Sequence, residues 1–189
     1  MDARIDVDQK KKAFLNEEFL TLSVNGAVQR ANVYKVAPDK FSKRQREEYK
    51  NFKEALRERL RELVANYSES VSEEDHMKYI GSLADDLSKQ YKGVLRDGRF
   101  RIGIAQKALN LYLKYLWCNQ VIPCPPHCPF DWKILSQLSS LSKDERRWTE
   151  TDCMDVYCRW VRSAEKKAEV RHLNLAEWEL VRYEEVRRT

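Results

Sequence analysis

Apolar residues recur three and four positions apart along most of this chain, which is the signature of helices with one buried face. Tyr49, Phe52, Leu56, Leu60, Leu63 and Tyr67 form one such stripe. Ser42, with Gln45 three residues on, is a capping-box pattern ahead of it, so the spacing predicts a helix from Ser42 to about Asn66. A second stripe, Met77, Ile80, Leu83, Ala84, Leu87 and Tyr91, starts at Ser70 or Ser72 and is ended by Gly93 and Asp97-Gly98. The third stretch, Phe100–Trp117, is apolar almost all round, which predicts a buried central helix. Asp131 then heads a short run to about Leu138. Thr149 or Thr151 is the expected cap of a helix bearing Val156, Tyr157, Trp160, Val161 and Ala164, and a last helix starts near Asn174. At the other end, residues 1–20 read as a short amphipathic piece anchored by Phe14, Leu15 and Phe19. Asn25-Gly26 interrupts a Val-rich stretch there, a turn signal that fits either a small hairpin with Val33 and Tyr34 on its second arm or a loop.

The expected fold is therefore all-α: a single-domain bundle of about six helices around Phe100–Trp117. Residues 1–189 form one domain, with 1–38 as a candidate peripheral segment. Composition agrees: 189 residues can build a real core, and only five Gly and five Pro punctuate a chain that is 34% charged. There is no apolar run behind the charged N-terminus MDARIDVDQKKK, and no stretch able to span a bilayer without charge. Five cysteines with no secretory signal read as reduced thiols and a cytoplasmic location.

Net charge is +5, and its distribution changes the picture. Between Lys89 and Lys107 six cations stand against the single anion Asp97, a local excess equal to that of the whole chain. On the central helix Gly103, Lys107, Asn110 and Lys114 fall within about 60° of one another, with Gln106 flanking. Two readings fit this stripe. It is the helix's route to solvent, with snorkelling lysines. Or it lines a basic cleft for an anion, with Gly103 allowing close approach and Arg99 and Arg101 at the positive helix N-terminus. Lys114, Asn110 and, from the loop beyond, His127 would then be further ligand contacts.

The loop Pro123-Cys124-Pro125-Pro126-His127-Cys128-Pro129-Phe130-Asp131 is stiffened by four prolines and holds its side chains in place. Cys124, His127 and Cys128 are metal-ligand types, but their spacing is not a paired zinc knuckle; buried thiols are the competing reading. No cofactor is expected, with zinc as the alternative. Cys128 beside His127 also admits a catalytic thiol, and Asp131 is either a catalytic carboxylate or an ordinary helix N-cap.

Two resemblances follow from these residues. The segment GRFRIGIAQKALNLYLKYLWC, then PPHCPFD, Trp148-Thr149 and Trp178-Glu179-Leu180, looks similar to uncharacterised helical proteins from bacteria over most of residues 30–180. More locally, Gly103, Gln106-Lys107-Ala108, the apolar run to Trp117, and Pro129-Phe130-Asp131 resemble the catalytic core of the helix-hairpin-helix DNA glycosylases. Ala105 stands where that family has a second glycine, no Leu-Pro-Gly precedes it, and the gap from Lys107 to Asp131 is longer than the family's. The resemblance implies Lys107 as nucleophile at a sugar C1′ and Asp131 as the catalytic aspartate.

Three function classes remain open at this level: a nucleic-acid- or polyanion-binding module, a DNA glycosylase-like enzyme, and a non-enzymatic scaffold docking an unknown protein partner through its five Trp and nine Tyr. The first is the leading expectation, with glycosylase-like descent. No membrane partner is expected.

Overall fold

The computed structural model describes residues 6–29 and 31–188, with side chains to residue 185. Among them are seven α-helices and no named strand: α1 (Val7–Val28), α2 (Lys43–Val64), α3 (Glu73–Tyr91), α4 (Ile102–Cys118), α5 (Trp132–Leu135), α6 (Met154–Glu169) and α7 (Leu175–Arg188). The all-α expectation holds. No described helix is long and apolar enough to cross a membrane.

Local chemistry explains where most helices begin. The Ser42 hydroxyl accepts from the Gln45 amide while the Gln45 side chain accepts from the Ser42 amide, so the capping box forms at the head of α2. Ser72 caps α3 through the Asp75 amide. Asn174 and Glu177 cap α7 by the same reciprocal logic. α6 departs from expectation. It starts after Cys153, beyond Thr149 and Thr151, because residues 148–151 instead form a turn packed on α4. α5 is also shorter than the apolar run to Leu138 implied.

The hairpin around Asn25-Gly26 does not form: α1 runs unbroken through it. Leu20, Val24, Ala27 and Val28 lie on one helical face and are buried along α4, which outweighs the turn preference of two residues. Gly26 is used for close approach rather than for turning, since a Cβ there would stand 2.9 Å from Leu111 Cδ2. The only trace of extended pairing among the described residues is one antiparallel bridge, Tyr34 with Leu95.

α4 is the hub. α1, α2, α3 and α6 all pack on it, and α7 packs on α5 and α6. Phe100, Ile104, Ala105, Leu109 and Leu113 are wholly buried. Phe52 meets both Phe100 and Tyr91 edge to face at 5.5 Å, and Phe130, Tyr157 and Trp160 form a second aromatic cluster.

Candidate active site

Lys107 and Asp131, 24 residues apart, meet. Lys107 Nζ donates to Asp131 Oδ2 at 2.7 Å. The lysine side chain is 8% exposed and the aspartate 22%. Asp131 divides its carboxylate between two tasks. Oδ1 accepts from the Lys133 and Ile134 amides and so caps α5, while Oδ2 faces the lysine. The N-cap expected of Asp131 forms, and the same carboxylate also pairs with Lys107.

Gln106, only a flanking residue in the helical-wheel reading, holds this geometry. Its amide is buried and clamps the loop at both backbone atoms of one residue: Oε1 accepts from Phe130 N at 3.1 Å and Nε2 donates to Phe130 O at 2.7 Å. Asn110, one turn on, donates to Cys128 O and to the Tyr157 hydroxyl. Loop residues 128–130 are thus bound to the turn of α4 that carries Lys107, and Asp131 follows directly. Gln106→Leu would leave Phe130 N and O buried and unpaired. We expect it to lower unfolding free energy by about 2 kcal/mol, measured by urea denaturation.

The pair stands between two cavities. One, of about 480 Å³, is lined by Asn25, Gln29, Trp132, Lys133, Trp148 and Thr149 beside Lys107 and Asp131. The other, of about 350 Å³, is lined by Leu111, Lys114, Tyr115, Pro129, Glu179 and Tyr183 beside the same pair. Both fall in the size range of ligand clefts. Thr149 is shared with a third, more polar hollow lined by Asn32, Arg96, Arg101 and Glu150. Together they trace an elongated groove. Trp132 is 60% exposed at its edge. A separate cavity of about 330 Å³ near Val170, Trp178 and Arg182 holds no comparable pair.

The other sequence candidates are placed as follows. Gly103 faces backbone: a Cβ there would sit 1.8 Å from the Trp148 carbonyl oxygen. Its amide donates to Thr151 O at 2.9 Å, and Ile102 N donates to Asp152 Oδ1 at 3.2 Å, so protein groups already occupy these two amides at the α4 N-terminus. Arg99 bonds Asp85 and Asp152, and Arg101 pairs with Asp97. Half of the basic run from Lys89 to Lys107 is therefore neutralised by its own fold. Lys114 Nζ donates to Glu179 Oε2 at 2.6 Å. Asp152 and Glu179 were missed; the signal for Glu179 was an acid next to Trp178 on a predicted helix.

His127 faces the interior, not the groove. Its Nδ1 lies 2.7 Å from the Tyr157 hydroxyl, and its ring meets His76 edge to face at 4.6 Å. Burial lowers its pKa to about 4, and burial with the adjacent His127 lowers that of His76 well below the usual value. Cys128 is buried, and burial pushes its thiol pKa up, away from nucleophilic use. Cys124 points elsewhere, toward Asn174. Among the described residues no three His, Cys, Asp or Glu side chains form a group able to hold a metal ion, so the zinc alternative finds no ligand set there. All five cysteines are free thiols.

Comparison of the chain with protein-family models, with curated proteins and with solved structures gave no match.

Proposed function

We propose that this chain binds nucleic acid and cleaves a base–sugar bond with Lys107 and Asp131. The observation that carries this reading is the 2.7 Å contact between a nearly buried lysine amine and a carboxylate on the floor of an open groove. A buried ion pair is a weak stabiliser compared with apolar packing, so stability alone is a poor reason for it. The local resemblance to helix-hairpin-helix DNA glycosylases names the same two residues.

The chemistry follows from the contact. Asp131 takes a proton from Lys107 along the existing hydrogen bond. The neutral amine attacks the sugar C1′ as the C1′–base bond breaks. The bonding pair leaves with the base, which takes up a proton. The C1′–ring oxygen bond then opens, the oxygen is protonated, and an iminium joins Lys107 to C1′. The proton the base takes up is the one Asp131 removed from Lys107, so Asp131 is again a carboxylate and stabilises the iminium cation. Trp132 and Trp148 offer aromatic faces to unstacked bases, and Lys133 and Arg96 offer charge to the backbone.

The test is borohydride reduction in the presence of oligonucleotides carrying a panel of damaged and mismatched bases. The wild type is expected to give a covalent adduct on at least one of them. Lys107→Ala is expected to give none, and Asp131→Asn to slow adduct formation by roughly 10²-fold or more. No adduct across the panel, or an unchanged one in Lys107→Ala, removes the reading. The logarithm of the DNA binding constant is expected to fall linearly with the logarithm of salt concentration, as counterion release requires.

A further inference from the structure

The first turns of α1 stand clear of the bundle. Every residue from Asp6 to Leu15 is exposed, and α1 is buried against the body from Leu20 onward, with Phe19 stacked on Tyr115 at 5.3 Å. Phe14 and Leu15, which the sequence suggests as anchors of this segment, do not anchor it: they are 63% and 38% exposed. Val7 is 57% exposed and Leu22 49%. A helical stretch of about ten residues without tertiary contact is marginal in water, so the bare end of α1 needs a partner. At 100° per residue, Val7, Lys11, Phe14, Leu15, Glu18 and Leu22 fall within an arc of about 100°. That arc lies opposite the buried face formed by Leu20, Val24 and Ala27.

We propose that this stripe docks a second copy of the chain, two α1 helices pairing antiparallel about a two-fold axis between Phe14 and Leu15. The stripe is its own complement. Reversed about that point, Val7 falls opposite the partner's Leu22, Phe14 opposite the partner's Leu15, and Lys11 opposite the partner's Glu18, each contact occurring twice. The exposed apolar side chains are then covered by apolar ones, and the two charges of the stripe meet opposite charges. A parallel pair would set lysine against lysine and glutamate against glutamate, which is repulsive. Lys11 can make the contact, because its bond to Asp8 joins side chains 69% and 82% exposed, and such a surface pair is worth little. Glu18 is exposed as well. The antiparallel sense also sets the two bodies at opposite ends, so that the docked half of each α1 covers the bare half of the other. The seam from Val7 to Leu22 is about 24 Å long. It is smaller than a standard interface, so the dimer is expected to dissociate in roughly the micromolar range. Nothing in this depends on the reading of Lys107 and Asp131.

Sedimentation velocity on the full chain, from about 1 to 300 μM, tests this. The wild type is expected to pass from monomer to dimer over that range, and the first turns of α1 to gain hydrogen-exchange protection as it does. Phe14→Asp, Lys11→Glu and Glu18→Lys are each expected to weaken dimerisation by about ten-fold or more. All three side chains are exposed, so the body of the fold is expected to keep its far-UV circular dichroism. The double variant Lys11→Glu/Glu18→Lys is expected to regain dimerisation, and an equimolar mixture of the two single charge variants to form a heterodimer, since each carries the charges the other needs. A wild type that stays monomeric throughout overturns the proposal. So does a dimer untouched by Phe14→Asp or by either charge reversal, which would lie on another face. A double variant no better than the single ones, the result for a parallel pair, overturns it too. The borohydride adduct at Lys107 is read separately and is not affected by any of these outcomes.

Discussion

Unfolding free energy is expected to fall steadily as the pH is lowered from 6.5 toward 4, and His76 and His127 are the cause. Both rings are almost wholly buried and stand edge to face at 4.6 Å. Through Nδ1, His76 meets the Tyr67 hydroxyl at 2.6 Å and His127 the Tyr157 hydroxyl at 2.7 Å. Asn110 beside His76 opposes the shift there, but burial outweighs it. The folded pKa of His127 is about 4, pushed down by burial, against about 6.5 in the unfolded chain. The unfolded state therefore binds more protons between those values, and stability rises with pH across that window. The contribution is fully present above about pH 6.5 and is lost as the pH falls through the folded value. For His127 it amounts to about 3 kcal/mol, and His76 adds in the same direction. Glu179 works the other way, because burial raises its folded pKa and proton uptake there favours the folded chain. Urea midpoints measured from pH 7.5 to 4.5 check the slope. His127→Gln, which keeps a neutral polar group, is expected to flatten it. A wild-type curve level between pH 6.5 and 5 would contradict the assignment.

Gly103→Ala is expected to destabilise the fold by about 3 kcal/mol or more, a fall in Tm of roughly 6–12 °C for a chain of this size. The added Cβ would lie 1.8 Å from Trp148 O, 2.9 Å from Trp148 C and 3.3 Å from Thr151 O, all backbone atoms with no rotamer to change. The 148–151 turn must lift off α4, stretching the Gly103 N to Thr151 O bond and shifting Trp148 and Thr149 out of the groove wall. The control is Gly81→Ala, in the middle of α3. A Cβ there meets Met154 Cε at an ordinary 3.8 Å, so only helix propensity changes, and stability is expected to rise by about 0.5–1 kcal/mol. Opposite signs for the same substitution would distinguish close backbone packing from propensity. Calorimetry on the two variants reads both.

Gly103 also shows where sequence reading reached its limit. Its place on the polar stripe of α4 was legible, and from the stripe a ligand-approach role followed. The approaching group is instead the carbonyl of Trp148, 45 residues away, which no local pattern encodes. Asn25-Gly26 is a parallel case. The pair is a strong turn signal by itself, but burial of Leu20, Val24, Ala27 and Val28 against α4 keeps the chain helical.

What the sequence determined by itself was the all-α class, the central position of α4 and the cap at Ser42, with Ser72 and Asp131 among the candidate caps. These depend on interactions within three or four residues and on the 3.6-residue period of burial, both written directly in the order of side chains. It also brought Lys107 and Asp131 forward as candidates. That they meet was decided by the tertiary structure, through a Gln106 amide that grips the Phe130 backbone across 24 residues and fixes where α5 begins. The partners of Arg99, Lys114 and His127 were settled in the same way. Which charges neutralise one another, and which histidines are sealed from water, depends on how the helices stack, and periodicity along one helix does not specify its neighbour.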